Sequence, residues 1–517
     1  MDVIKFLNSA RQTNKLISSF IMLLFTSAVV IFFFISYYAY LEYTGSKFIY
    51  LSFCFVSFSL IALSLIGRFS YFYFFLALFL FLGFWSKTSL YFAFNHPLLE
   101  PTGFFDYSAG AWNKALIVSS LGLAGVCFSR LLMILLNKIF DKNNTSVPIS
   151  VSIPVWYDKY AKIIWIVTIL AIIITVVCNS YFKLYQVGVV PTYHMPFKLG
   201  ALMPACINIG FTLWLATLIW WDVQKGKRLL PRLFIAIFSA FLFSTSIMSR
   251  GLYLYQAGHY IVSIYRAVKD ISLKQWSLYF IMFILGLFIT VKLTMYQRDT
   301  DYKQFIANKI VAKQLLTACA KKQCKNKAFI ASKLESNTKA QVNHFIKEGH
   351  YSSSGTGNIF LKLAVERWIG IEGVLSTSSW ADANFNTFKL GWTKRLARDT
   401  GNPYNKISRT YYYRPSYKLV GNTFFYSSLP GFIAMLDYSG RISIVIFGAF
   451  ILCFFFMSLE YWMDRLLRNP FYLSYSGIYL AFLVSMLGDG HVILMQPIEF
   501  IIFTCFIWIL SKLKVSK

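Results

Sequence analysis

The sequence predicts an all-α polytopic membrane protein of about 12 transmembrane helices, with one long helical or irregular loop outside the cytoplasm. Of its 517 residues, 57% are hydrophobic and only 14% are charged, whereas about a quarter of the residues in soluble domains are charged. Uncharged stretches of about 17 to 25 residues recur along the chain, and this length crosses a hydrocarbon core of about 30 Å. Composition and span length therefore predict one membrane domain that carries an insert.

The basic residues indicate membrane orientation and not nucleic-acid binding. The formal net charge is +29, and a basic stripe would be typical of a protein that binds nucleic acid. Here the lysines and arginines are spread over the segments between apolar spans, which is how orientation in a membrane is encoded. We therefore predict contact with membrane lipids and no nucleic-acid partner.

Hydropathy defines the predicted spans in chain order. The first apolar run is too long and too aromatic for a cleaved signal sequence, so it should remain as a helix. The predicted spans are 16–40, 48–66, 70–84, 115–136, 163–180, 200–221, 233–248, 251–265, 276–293, 441–459, 472–487 and 498–512.

The region 233–265 decides the parity of the topology, because it fits either one long helix or two short helices that meet at Ser249, Arg250 and Gly251. Short cytoplasmic loops collect Lys and Arg, and both flanks of this region are basic. The basic flanking residues are Lys225, Lys227, Arg228, Arg232, Arg266, Lys269 and Lys274. Both flanks are therefore predicted to be cytoplasmic, so the chain crosses twice between them. Twelve spans with both termini cytoplasmic is the consistent topology.

This topology divides the chain into three parts. Residues 1–293 are predicted to form an N-terminal membrane region of about nine helices, and residues 439–517 a C-terminal membrane region of about three. Between them, residues 294–438 form a periplasmic loop that is too long to be a simple connector. Because that compartment is oxidising, Cys319 and Cys324 are predicted to form a disulfide.

Arg250 is the first candidate for a functional role. It lies at the predicted outer end of a helix pair, with Gln256 and His259 on the helix that follows. An ionisable group at membrane depth is costly and usually faces a polar cavity, and a guanidinium matches phosphate oxygens bidentately. The residue is therefore a candidate phosphate ligand. The alternative is an arginine that extends to the membrane interface at a tight turn.

A second cluster lies in the insert, where Glu366 and Arg367 precede Trp368 and Glu372 follows. Helical spacing also allows a small amphipathic core around Trp368, with Glu366 and Arg367 on its solvated face.

Farther along the insert, arginines alternate with tyrosines, and this pattern suits an anionic, sugar-bearing ligand. The residues proposed to contact it are Arg409, Arg414, Tyr412 and Tyr413. A basic, solvated loop explains the arginines equally well, but it explains three consecutive tyrosines less well.

Two turns complete the set of candidates. Pro430 and Gly431 fix a turn shortly before the next span. His491 lies in a short external turn, where it could act as a general base near neutral pH, although a lone loop histidine is more often ordinary. The sequence contains no P-loop and no His-Glu-x-x-His pair, so we predict a reaction without ATP, metal or another cofactor.

Taken in order, three motifs resemble the bacterial O-antigen polymerase (Wzy-type) family of oligosaccharide repeat-unit polymerases. They are residues 248–251, residues 366–373, and residues 429–432 with Gly440 leading into the final helices. The resemblance covers the chain from about residue 240 to the end. It implies an inner-membrane enzyme that transfers a growing glycan from undecaprenyl pyrophosphate to the next lipid-linked repeat unit, on the periplasmic side. It also implies a chain-length regulator as a partner.

This resemblance implies roles for the candidate residues. Arg250 and Arg367 would stabilise the departing pyrophosphate. Glu366, Glu372 and His491 would be candidates to activate the acceptor hydroxyl, and Pro430 and Gly431 would join the substrate-binding set. Two alternatives remain. An O-antigen ligase would pass the same glycan to lipid A core, and a lipid-linked-oligosaccharide flippase or other transporter would move it without chemistry. A structural or partner-binding membrane protein is a further possibility.

Overall fold

The structure, a computed structural model, is that of an α-helical membrane protein. It describes residues 15–98, 100–141, 153–188, 199–268, 272–320, 368–394, 401–410, 429–487 and 490–513. That part of the chain contains no β-strand, and nine of its helices are long and apolar enough to cross a membrane. The described part of the chain is therefore all-α, and its apolar helices fit the multi-pass membrane protein that the sequence predicts.

The described helices are numbered here in chain order. Those before the insert are α1 (Lys15–Glu42), α2 (Lys47–Ser64), α3 (Tyr71–Phe94), α4 (Ala109–Asp141), α5 (Val155–Phe182), α6 (199–224), α7 (Leu229–Ser246), α8 (Arg250–Ala267) and α9 (Leu273–Ala320). Those of the insert are α10 (Ile371–Ser378), α11 (Phe385–Thr393), α12 (Tyr404–Ile407) and α13 (Phe432–Asp437). The last three are α14 (Ile442–Leu467), α15 (470–487) and α16 (Gly490–Lys512).

Each of the twelve predicted spans coincides with one of these helices. Nine of them meet the length and hydropathy expected of a membrane span by themselves. Two more contain shorter apolar helices, Thr26–Glu42 within α1 and Pro470–Met486 within α15. The twelfth helix, α8, is more polar than the other eleven, because it carries arginines, a glutamine and a histidine.

The region 233–265 forms two helices, α7 and α8, as the charge distribution predicts. The break lies at Ile247–Ser249, where Met248 has a left-handed backbone with φ 56°. Ser249 then caps α8, since its hydroxyl accepts a hydrogen bond from the Leu252 amide at 3.4 Å. A serine at this position satisfies an amide that has no partner within the helix, so the local sequence explains where α8 begins.

Several helices extend beyond the predicted spans, and three of these differences have a clear physical reason. Helix α3 runs to Phe94 and not to residue 84, because the charge of Lys87, three residues beyond the predicted end, is paired with a distant glutamate. Helix α9 continues beyond residue 293 as far as Ala320, since polar residues end a span without ending a helix. Helix α16 begins at Gly490 and contains Pro497; within membranes a helix tolerates proline because its neighbours satisfy the freed backbone groups.

The centre of the bundle consists of α3, α4, α14 and α15. Helix α4 packs along both α14 and α2, and α3 packs along α15. Glycines permit the closest approaches: a Cβ at Gly125 of α4 would lie 2.4 Å from the Ile446 carbonyl oxygen of α14. Small residues at such contacts let helix backbones approach closely, which is the main source of packing energy between helices in lipid.

The described helices of the insert cover one end of this bundle. Helices α10 and α13 contact α4, α13 contacts α14, and α11 contacts α16. Helix α3 ends here, whereas α4, α8 and α14 begin here. We call this end, covered by α10, α11 and α13, the insert end. Of the described residues to which the sequence assigns a function, it contains Arg250, Glu372, Arg409, Pro430 and Gly431.

Candidate functional site

Arg250 is the first residue of α8 and lies at the insert end of the bundle. The first turn of a helix carries about half a positive charge, because its amide groups lack partners and the peptide dipoles are aligned. A guanidinium placed there adds to that charge, so the two together favour an anion. Arg250 is half-buried, which reduces the screening of its charge by water.

A second arginine, Arg298 of α9, holds the turn that leads into α8. Its guanidinium donates a hydrogen bond to the Met248 carbonyl at 2.7 Å and another to the Val187 carbonyl at 3.2 Å. The sequence analysis missed this residue. The available signal was a cation directly after an apolar span, a position that is typical of a membrane interface. Arg298 therefore adds positive charge near Arg250 and stabilises its turn.

The insert re-enters the bundle beside α3. Trp368 stacks on Phe79 of α3 with ring centroids 5.2 Å apart. Phe79 in turn lies 6.3 Å from the ring of Tyr255, which is on α8. The Ile369 amide also donates to the Met486 sulfur of α15 at 3.4 Å. This segment of the insert is therefore packed among helices and separated from α8 by one aromatic ring.

From Trp368 the insert follows α3 for two more helical turns. A Cβ at Gly370 would lie 2.6 Å from the Gly83 carbonyl oxygen, so the two backbones touch directly. Gly83 belongs to a π-helical segment of α3, Phe81–Ser86. π-Helical segments are rare in proteins overall, and those that occur are often found at functional sites. The irregular helix and the insert thus fit together through a glycine on each side.

This contact ends at an ion pair between Lys87 of α3 and Glu372 of α10. The Lys87 Nζ and Glu372 Oε1 atoms are 2.5 Å apart, and the two side chains are only 4% and 3% exposed. Burial raises the pKa of Glu372, while the positive charge of Lys87 opposes that increase. A carboxylate held in this way is suited to fixing the insert on the bundle. Its predicted role as a base for the acceptor hydroxyl stays a prediction.

Pro430 and Gly431 help to position the insert. Gly431 has a left-handed backbone with φ 75°, and its carbonyl accepts a hydrogen bond from the Met435 amide at 3.1 Å. A Cβ at Gly373 would lie only 1.9 Å from the Pro430 carbonyl oxygen, so the Pro430–Gly431 turn lies directly against α10. These contacts give the turn a packing role, and its predicted contact with substrate stays a prediction.

Arg409 lies on the part of the insert that packs against the loop between α3 and α4. Its guanidinium is 4.8 Å from the centroid of the Phe104 ring, and its backbone is left-handed with φ 52°. Nearby, Lys406 lies 5.3 Å from the Trp380 ring. Both cations thus lie over aromatic rings from elsewhere in the sequence, and the predicted contact of Arg409 with a ligand stays a prediction.

Several predicted residues lie outside the described part of the chain. Glu366, Arg367, Tyr412, Tyr413, Arg414 and Cys324 are among them, and so are the side chains of Cys319 and His491. His491 itself is in the first turn of α16 and not in the predicted loop.

The sequence analysis missed Lys87, the partner of Glu372. A single charge within the apolar sequence of α3 was the available signal, because ionisable residues at membrane depth are functional candidates by default. Among the described residues, no group of three or more His, Cys, Asp or Glu side chains is arranged to hold a metal ion.

Comparison of the chain with protein-family models, with curated proteins and with solved structures finds no match.

Proposed function

We propose that this protein is a polymerase of oligosaccharide repeat units, of the Wzy type, in the bacterial inner membrane. In this proposal it joins undecaprenyl-pyrophosphate-linked units into O-antigen or capsule-type polysaccharide on the periplasmic side. The observation that carries the proposal is Arg250 in the capped first turn of α8, at the end of the bundle that the insert covers.

The chemistry requires little more than positioning and charge. The acceptor hydroxyl oxygen forms a bond to the anomeric carbon of the donor, while the bond from that carbon to the pyrophosphate oxygen breaks. The electron pair leaves with the pyrophosphate, and the hydroxyl proton passes to a base. Negative charge therefore grows on the leaving group, and fixed positive groups aimed at it lower the barrier. Arg250, the first turn of α8 and Arg298 are such groups.

The second proposed cation, Arg367, directly precedes Trp368 in the sequence. Trp368 is separated from Tyr255 of α8 only by the ring of Phe79. Tyr255 lies about one and a half helical turns after Arg250. This proximity supports a shared site in which Arg250 and Arg367 contact one pyrophosphate from α8 and from the insert.

The distribution of basic residues supports the proposed orientation. The ends of α4, α6, α8 and α14 opposite the insert carry Lys138, Lys225, Arg266 and Arg465. Short basic segments favour the cytoplasm, so the insert end would face the periplasm, with both termini cytoplasmic and twelve crossings. The donor and acceptor lipids would then reach Arg250 from the outer leaflet of the inner membrane.

The test compares Arg250→Ala, Arg250→Lys and Arg441→Ala in cells whose own polymerase gene is deleted. Arg441 is exposed at the start of α14, at the same end of the bundle, so it is a control for the loss of one charge. Losing one preorganised contact to a developing charge typically lowers the rate by about two to three decades. We expect Arg250→Ala to abolish the long glycan ladder, Arg250→Lys to restore it in part, and Arg441→Ala to leave it unchanged.

The residual glycan identifies the reaction. A lost polymerase leaves a single repeat unit on lipid A core when the ligase is intact, whereas a lost O-antigen ligase leaves lipid A core without any unit. Normal ladders from Arg250→Ala at normal protein levels would contradict the proposed site. Bare lipid A core would favour the ligase instead.

A further inference from the structure

A cavity of about 390 Å³ lies at the end of the bundle opposite the insert. Its walls come from the C-terminal parts of α4, α8 and α14, from the connection between α2 and α3, and from α6 and the first turn of α15. Arg266 of α8 contributes to the wall, and it lies sixteen residues after Arg250, which corresponds to about 24 Å along the helix. The cavity is therefore separate from the proposed catalytic site.

Charged residues line this cavity, and cations outnumber anions by four to two. The lining charges are Arg68, Arg130, Arg266, Arg468, Glu460 and Asp464. Both carboxylates already have partners. Glu460 accepts hydrogen bonds from the Tyr71 amide at 2.6 Å and the Phe72 amide at 3.2 Å, in the first turn of α3. Asp464 pairs with Arg68. The cavity therefore keeps a net positive charge.

Two of these arginines, Arg130 and Arg266, have contacts that hold them in place before any ligand arrives. Arg130 is only 1% exposed and donates to the Leu63, Ile66 and Arg68 carbonyls at 3.3, 2.8 and 2.7 Å. The Arg266 guanidinium lies 3.9 Å from the centroid of the Phe69 ring. Arginines fixed in this way lose little entropy on binding an anion. A purely structural role explains Arg130, but it does not explain an open volume of this size beside it.

We propose that this cavity binds the phosphate group of an anionic ligand that approaches from the cytoplasmic side. Guanidinium groups match phosphate oxygens bidentately, and the volume falls within the usual range of about 300 to 1,000 Å³ for small-molecule sites. The phosphate can belong to the headgroup of an anionic phospholipid in the inner leaflet or to a soluble phosphate compound. Both present the same chemistry to Arg266, so the experiment must separate them.

The experiment uses the purified full-length protein in detergent and measures its thermal unfolding with three additions. They are phosphatidylglycerol, phosphatidylcholine and inorganic phosphate, and native mass spectrometry counts the lipids that stay bound. A ligand that binds only the folded state raises the unfolding temperature. We expect phosphatidylglycerol to stabilise the wild-type protein, with one molecule retained, and phosphatidylcholine to have no such effect.

Four variants locate the effect. Arg266→Gln should weaken binding about tenfold, since a hydrogen bond to a charged group is lost, and Arg266→Lys should weaken it less. Ala267→Phe keeps every charge but fills the cavity, which Ala267 lines, so it should also block binding. Lys138→Gln removes an exposed charge at the same end of the bundle and should have no effect.

Each outcome decides the proposal. Stabilisation by inorganic phosphate that is lost in Arg266→Gln supports the site and assigns it to a soluble ligand. Equal stabilisation by phosphatidylcholine, or equal binding by all four variants, overturns it. If Arg266→Gln does not fold, Ala267→Phe against Lys138→Gln gives the same comparison with every cavity charge retained.

Discussion

Lys87 and Glu372 show how one residue pair can connect the insert to the membrane helices. Two buried charges are costly to remove from water, and their attraction compensates for this cost only when the geometry is good. Here the pair is 2.5 Å apart and joins residues 285 positions apart in the sequence. We therefore expect the pair to contribute less to net stability than to specifying where α10 lies on α3.

Replacing Lys87 with Met should destabilise the protein by about 3 to 5 kcal/mol, because it leaves a buried carboxyl group without its partner. Burial raises the pKa of Glu372, so the carboxyl group of the variant should bind a proton. A group whose pKa is higher in the folded state stabilises that state at low pH, and this contribution is lost as pH rises through the folded pKa. Lys87→Met should thus lose stability as pH rises, which denaturant unfolding in detergent measures.

The double variant Lys87→Met with Glu372→Leu separates structure from catalysis. It replaces the ion pair with apolar side chains of similar volume, which is often neutral or stabilising. If Glu372 only positions the insert, this variant should recover stability and still produce the glycan ladder. A stable double variant without polymerase activity would instead support Glu372 as the base.

At the scale of elements, glycines set the distance between the insert and the bundle. Gly83 and Gly370 bring α3 and the insert into backbone contact, and Gly373 does the same between α10 and the Pro430 turn. These contacts leave no room for a side chain. Close packing at Gly83 and Gly370, together with the Lys87–Glu372 ion pair, therefore holds the insert on α3, and Gly373 holds the Pro430 turn against α10 within the insert.

Gly373→Ala should destabilise the insert, although alanine favours a helix over glycine by about 1 kcal/mol. The new Cβ would lie 1.9 Å from the Pro430 carbonyl oxygen, and overpacking of this kind typically costs about 1 to 3 kcal/mol. Gly110→Ala is the matched control, since a Cβ there would have nothing within 4 Å. Faster limited proteolysis of the insert in Gly373→Ala than in Gly110→Ala is the expected result, and equal rates would contradict it.

The sequence predicts the helices better than it predicts their contacts. A span is a local property of hydropathy, so twelve helices lie where spans are predicted, and α8 begins at the predicted meeting point of Ser249, Arg250 and Gly251. The Lys87–Glu372 pair, the Gly83–Gly370 contact and the three carbonyl partners of Arg130 join distant segments. A single sequence contains no signal for such pairings. For this reason Glu372 is predicted as a candidate base and not as the partner of Lys87.

At the scale of the whole molecule, the two ends of the bundle differ in chemistry. The insert end carries Arg250 at a helix start, with packed aromatic rings beneath it. The other end carries the arginine-lined cavity at the C-terminal ends of α4, α8 and α14. Both proposals therefore depend on which end faces the cytoplasm.

Cysteine accessibility decides that orientation. Lys406→Cys and Lys138→Cys, each in a variant without the native cysteines, place one thiol at an exposed position near each end of the bundle. A membrane-impermeant thiol reagent should label Lys406→Cys in intact spheroplasts, because basic flanks favour the cytoplasm and lie at the opposite end of the bundle. It should label Lys138→Cys only after permeabilisation. The reverse labelling pattern would put the insert in the cytoplasm, where a periplasmic polymerisation cannot occur. It would also turn the arginine-lined cavity toward the periplasm. Both proposals would then fail together.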